Sequence, residues 1–164
     1  MINELSLKGT EKIADVGAGS GYFTFRLSKE LSKGRVYAID IEPEMIRHIH
    51  HKAISRKIQN IEVIFSTPDN PNIPEDVDLV FICDILHHVK NKGDWLKALF
   101  SQMKYDSKLV LIEFKEGKLP EGPPEDIKIP LGKMVSITTN AGFVNLKQND
   151  ELLPYQYYLE FKKQ

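Results

Sequence analysis

"ADVGAGSGYFT", residues 14–24, decides how this chain is read. Three glycines, Gly17, Gly19 and Gly21, fall within five positions directly after an apolar run. A glycine-rich turn between a strand and a helix lets backbone N–H groups and a helix N-terminus approach a ligand. The stretch therefore predicts a nucleotide loop at the end of a first strand. Its spacing then separates two kinds of ligand. The dinucleotide fingerprint G-x-G-x-x-G needs a third glycine where this chain has Tyr22. Asp15 also stands two residues before the first glycine. A carboxylate there opposes a phosphate and suits a cation.

Working outward, short β-rich runs alternate with helical ones. Strands are expected at 12–17, 35–40, 60–66, 77–84 and 107–114, with two more at 143–149 and 155–161. The run "VDLVFICD" is almost continuously apolar, as a strand buried on both faces requires. Helices are expected at 21–34, ending near Gly34, and at 42–57 behind Pro43. Two more are expected at 92–104 with Asp94 as N-cap, and at 131–143 stopping at Gly142. "TPDNPNIPED" (67–76) carries three prolines and predicts no full helix. Residues 115–130 read as a long Pro/Gly loop. The pattern is α/β: a Rossmann-like, doubly wound, seven-stranded sheet, mostly parallel with an antiparallel C-terminal strand. Ligands of such sheets bind at the carboxyl ends of the strands. Those ends are Gly17, Asp40, Ser66, Asp84 and Phe114.

The chain has 164 residues, 22 Lys plus Arg against 23 Asp plus Glu, and a formal net charge of -1. One domain spanning 1–164 is expected. Near-neutral charge gives no field for DNA or RNA, so no nucleic-acid partner is expected. No apolar run reaches the roughly 18 residues of a membrane span, and the first residues lack an apolar signal core. Cys83 is the single cysteine, which rules out an internal disulfide and a cysteine-rich metal site. A reduced, cytoplasmic setting is the expectation.

S-adenosylmethionine (SAM) carries a sulfonium and an ammonium, the charge that Asp15 suits. "DVGAGSG" matches D-x-G-x-G-x-G, the first motif of class I SAM-dependent methyltransferases. Asp40, closing "VYAID", is placed to accept both hydroxyls of a ribose, as in any adenosine site. "VDLVFICDILHHV", "EFKEGKLPEGPP" and "LPYQYYLEF" follow in the order of that family. From about Lys12 to Lys162 the chain resembles small class I SAM-dependent methyltransferases, relatives of the ubiquinone/menaquinone-biosynthesis C-methyltransferases. The first motif is specific to the cofactor, the later ones only to the broad family.

The resemblance implies a set of cofactor-binding residues. Gly17, Ala18, Gly19 and Gly21 would let the backbone approach the methionine part of SAM, with Asp15 orienting it. Asp40 would hold the ribose and Ile41 pack on the adenine. The usual acidic adenine partner is absent: Thr67 stands in its place, with Asp69 two residues on, so either is a candidate. Cys83 and Asp84 would lie near the methyl group. Relatives carry N-terminal helices over the site, whereas about eleven residues precede strand one here. A shortened N-terminal cap is expected, and a homodimer or a partner subunit is one way to complete an open site.

Methyl transfer is an in-line displacement governed by alignment, and a base is needed only when the acceptor must lose a proton. His87 and Asp84 are the candidates for that role, in a group at the sheet edge with His88, Glu113, Lys115 and Tyr155. A titratable imidazole suits a phenol or an acidic carbon. Both histidines also fit a plain structural role in their turn. His48, His50 and His51 read as a solvated helix face, and no metal site is expected. The leading expectation is methyl transfer from SAM to a small-molecule acceptor. The alternatives are a SAM-binding module or subunit without activity of its own, and an NAD-dependent oxidoreductase.

Overall fold

In a computed structural model describing all residues 1–164, seven strands form one sheet in the order β3-β2-β1-β4-β5-β7-β6. The strands are β1 (Lys12–Val16), β2 (Arg35–Asp40), β3 (Ile61–Phe65), β4 (Leu79–Cys83), β5 (Lys108–Phe114), β6 (Val144–Asn149) and β7 (Gln156–Lys162). Helices α1 (Thr24–Glu30), α2 (Pro43–Ser55), α3 (Lys92–Gln102) and α4 (Leu131–Asn140) connect them. β7 inserts antiparallel between β5 and β6, and all other pairings are parallel. Strand order reverses between β1 and β4, which sets the binding crevice at their carboxyl ends.

The central strands are apolar on both sides because helices cover both. Ala14, Val16, Ile39, Val80, Ile82, Leu109 and Leu111 pack with Trp95, Leu96 and Leu99 of α3 and Met134 of α4. The opposite side chains, Ile13, Val36, Leu79, Phe81, Val110 and Ile112, meet Leu27 and Leu31. α2 adds Ile49 and Ala53 against Ala38. Leu5, from a short 3-10 turn at Ile2–Leu5, belongs to the second layer, and Glu4 pairs with Lys147 of β6 at 2.7 Å. The first residues thus complete a sheet face.

Both ends of α1 and the cap of α3 differ from expectation. α1 begins only at Thr24, because Gly17, Gly19 and Gly21 all have positive φ (74°, 52° and 83°) and hold the chain out of the helix. It also ends at Glu30 rather than near Gly34. Gly34 serves another purpose: a Cβ there would stand 2.1 Å from the Glu11 carbonyl oxygen. The N-cap of α3 is Asn91, not Asp94. Asn91 Oδ1 accepts the Asp94 amide at 3.4 Å, and the Asp94 carboxylate accepts Asn91 Nδ2 at 2.6 Å, a reciprocal cap. As its prolines require, 67–76 forms no helix.

Candidate functional site

β1 runs out at Val16, and the next two amides turn sideways. Gly17 and Ala18 N–H both donate to the Ile39 carbonyl, at 2.8 and 3.0 Å, tying the glycine loop to β2. A side chain at Gly17 would meet Ile85 at 2.3 Å, and one at Gly21 would meet Phe25 at 2.7 Å. Gly19 faces open space. Sterics thus demand two of the glycines, while at the third a side chain would meet nothing and the positive φ of 52° is what favours glycine.

Asp40 closes the loop. Its Oδ2 accepts the Gly19 amide at 2.8 Å and its Oδ1 accepts the Glu42 amide at 2.9 Å. One buried carboxylate therefore holds the glycine loop and the β2–α2 turn in register, with lone pairs to spare for a ribose. That stapling role is invisible in the sequence, where the partners lie 21 residues apart. Asp15 sits beneath the loop, 3% exposed, accepting Thr24 Oγ1 at 2.5 Å. Burial pushes its pKa up to about 6 against the pull of the Thr24 bonds, and the Asp40 carboxylate adds to the rise.

A cavity of about 980 Å³ opens at the carboxyl ends of these strands. Of the expected cofactor residues, Gly17, Asp40, Ile41, Thr67 and Asp69 line it. Asp15, Ala18, Gly19, Gly21 and Cys83 do not; they lie beneath or beside it. Thr67 N–H already donates to the Asn70 carbonyl at 3.1 Å, inside a turn that Asn70 and Asn72 pin in place. The Asp69 carboxylate is exposed on the wall of the cavity. Trp95 also lines the cavity, although it is buried in the core beneath it. Acidic side chains dominate the wall: Asp40, Glu42, Asp69 and Asp94 against Lys90 and His88. A glycine loop at the cavity edge, the Asp40 carboxylate with lone pairs to spare, and an acidic wall fit a cationic adenosine cofactor.

Beside the cavity, the segment after β4 turns through a 3-10 turn, Leu86–His88. His87 Nδ1 lies 2.7 Å from Glu113 Oε2, and the His87 amide donates to Glu113 Oε1 at 3.3 Å. His87 is 8% and Glu113 1% exposed. Glu113 thus fixes the ring, and Nε2 is the edge left free. The ring packs against His88 with centroids 4.1 Å apart and planes tilted by 47°, and it is His88 that reaches the cavity wall. His48, His50 and His51 are exposed along α2.

Residues 7–152 match the family described as "Methyltransferase domain". An uncharacterized methyltransferase of Staphylococcus carnosus is 25% identical over 167 residues, covering 99% of this chain and 71% of that one. The ubiquinone/menaquinone biosynthesis C-methyltransferase of Vibrio vulnificus is 26% identical over 109 residues, 65% of this chain and 42% of that protein. The chain thus spans less than half of the Vibrio relative. The crystal structure of a SAM-dependent methyltransferase from Aquifex aeolicus superposes with a TM-score of 0.90 at 27% identity, covering 98% of this chain and 86% of that one. Matched over most of its length in sequence and fold, the chain belongs to the methyltransferase-domain family, as a class I enzyme whose cofactor is SAM.

Proposed function

We propose that the chain transfers the methyl group of SAM to a small-molecule acceptor. The observation that carries this reading is the concave, acid-walled cavity beside the His87–Glu113 pair. Its volume, about 980 Å³, stands at the upper end of small-molecule sites. Its wall and the net charge of -1 offer nothing to a phosphate backbone. Asp40 binds the ribose hydroxyls, Ile41 covers the adenine, and Asp69, whose carboxylate faces the cavity, takes the adenine amino group. The loop of Gly17, Ala18, Gly19 and Gly21 receives the methionine part, with Asp15 beneath it and Cys83 at the β4 end. SAM, when bound, supplies an activated methyl electrophile. The chain then aligns the acceptor, excludes water and, for a phenol or acidic carbon, accepts a proton at the His87–His88 turn, whose His88 ring lines the wall.

Residues 1–164 act as one domain in this reading. Ile41 lines the cavity yet is 46% exposed, and Met45 beside it is 37% exposed. That apolar rim favours a second copy or a partner subunit as cover for the open side. No helix is long and apolar enough to cross a membrane; we place the chain in the cytoplasm. The test is methyl transfer from labelled SAM by the purified chain to an extract split into small molecules, RNA and protein. Label is expected in the small-molecule fraction. Label only in RNA or protein contradicts the reading, and no transfer with intact SAM binding favours a binding subunit.

A further inference from the structure

The layer formed by α1 and α2 carries charge that neither the cavity nor the fold uses. "RHIHHKAISRK", residues 47–57, holds four Lys and Arg and no Asp or Glu. α1 adds Arg26 and Lys29 against Glu30. The two helices lie side by side: Phe25 of α1 packs with Ile49 and Ala53 of α2 over Ala38. Lys52 and Arg56 reach across to the Phe25 ring, with Nζ and Cζ at 5.0 and 5.4 Å from its centroid. Arg26 Cζ stands 3.6 Å from the centroid of the Tyr22 ring. Arg47 pairs with Glu44, but Arg26, Lys29, Lys52, Arg56 and Lys57 enter no salt bridge. Aromatic rings, not carboxylates, seat three of these cations, so their charge stays unneutralised.

Apolar side chains stand among them. Ile54 is 61% exposed, more than any other Ile, Leu, Val or Met of the chain, and Tyr22 is 58% exposed. On α2, Arg47, His51 and Ile54 follow at i, i+4 and i+7 along the outward stripe, while Ile49 and Ala53 point into the core. Thirteen residues give this helix a length of about 20 Å. An exposed aliphatic side chain ringed by cations on an outward stripe has the composition of a helix that meets a lipid interface. The cations suit lipid phosphates, and the apolar tip suits the headgroup boundary. A nucleic acid would stack bases on the aromatic faces, but Arg26 already covers Tyr22 and Phe25 is buried. A protein partner would be anchored in a desolvated pocket, and the larger cavities lie elsewhere, at the strand ends and within residues 117–128.

We propose that the α1–α2 face docks reversibly on an anionic lipid bilayer. Arg26, Lys29, Lys52, Arg56 and Lys57 meet the lipid phosphates, and Ile54 and Tyr22 enter the headgroup boundary. This goes beyond methyl transfer and does not depend on SAM.

The test sediments the full chain with vesicles of phosphatidylcholine, alone or with about 30% phosphatidylglycerol, at low and at high salt. Binding to the anionic vesicles is expected to be at least about tenfold tighter than to the neutral ones, and to fall at high salt. Lys52→Glu with Arg56→Glu should weaken it at least about tenfold, since each basic residue near such a surface contributes about fivefold. Ile54→Ser should weaken it about threefold or more at unchanged charge. Lys118→Glu with Lys133→Glu makes the same charge change on exposed positions of the 115–130 loop and α4, and should leave binding within about twofold. If the Lys52 and Arg56 pair melts early, Lys29→Glu with Lys57→Glu replaces it, because the Phe25 contacts then stay in place. No preference for anionic vesicles, equal losses in the two charge-reversed pairs, or an unchanged Ile54→Ser variant overturns the proposal. So does tighter binding to poly(U) or polyglutamate than to the vesicles at the same salt.

Discussion

Asp40 does two jobs with one carboxylate, and that makes it the most informative residue to change. Asp40→Ala strips the Gly19 and Glu42 amides of their acceptor as well as removing the proposed ribose partner. Charge-assisted hydrogen bonds contribute about 1.5–3 kcal/mol each, so S-adenosylhomocysteine affinity should fall at least about tenfold. Stability should also drop by about 1–3 kcal/mol, since two amides lose their partner. Calorimetry and urea unfolding read the two effects separately. Asp15 sets a pH dependence. Its pKa rises from the ordinary 3.8 to about 6 on folding, so between those values the folded chain holds a proton that the unfolded chain has released. Stability of the ligand-free chain should therefore fall as pH rises through that window, and Asp84 adds in the same direction. A cationic ligand favours the ionised carboxylate. SAM affinity should accordingly rise from about pH 5 to about pH 7, more steeply than that of S-adenosylhomocysteine, which lacks the sulfonium. Calorimetry across that range checks it; equal slopes for the two ligands would contradict it.

At the scale of elements, the strands were legible because burial on both faces writes continuous apolar runs, as in "VDLVFICD". The glycine loop was legible because its spacing is local. What stayed hidden was lateral. Asp40 bonds Gly19 across 21 residues and His87 bonds Glu113 across 26, through strand registers that no local pattern encodes. The start of α1 was misjudged because "GYFTFRL" has helical spacing while the positive φ of Gly21 delays the helix to Thr24. The start of α3 at Lys92 agrees with expectation, but its N-cap was misplaced, because either residue of the Asn91–Asp94 pair looks like an N-cap in sequence. That cap is testable by itself. Asn91→Ala should destabilise the fold by about 1 kcal/mol, the usual value of an N-cap, read as a shift in the urea midpoint with an unchanged slope.

For the whole molecule, the sheet order brings the ends of β1, β2, β3 and β4 to one edge, and the cavity opens there. The first residues pack into a sheet face instead of lining that cavity. The acidic wall suits a cofactor whose charge is positive, and its rim at Ile41 is exposed. Everything proposed about acceptor and base depends on this edge holding the cofactor. Trp95, the only tryptophan, lines the same cavity and reports on its filling. The deciding measurement is titration of the folded, ligand-free chain with S-adenosylhomocysteine, followed by calorimetry and Trp95 emission together. One saturable site per chain, with a Trp95 change tracking the heat, is the predicted result. A folded chain giving neither heat nor an emission change, or binding NADH more tightly than S-adenosylhomocysteine, would contradict the account.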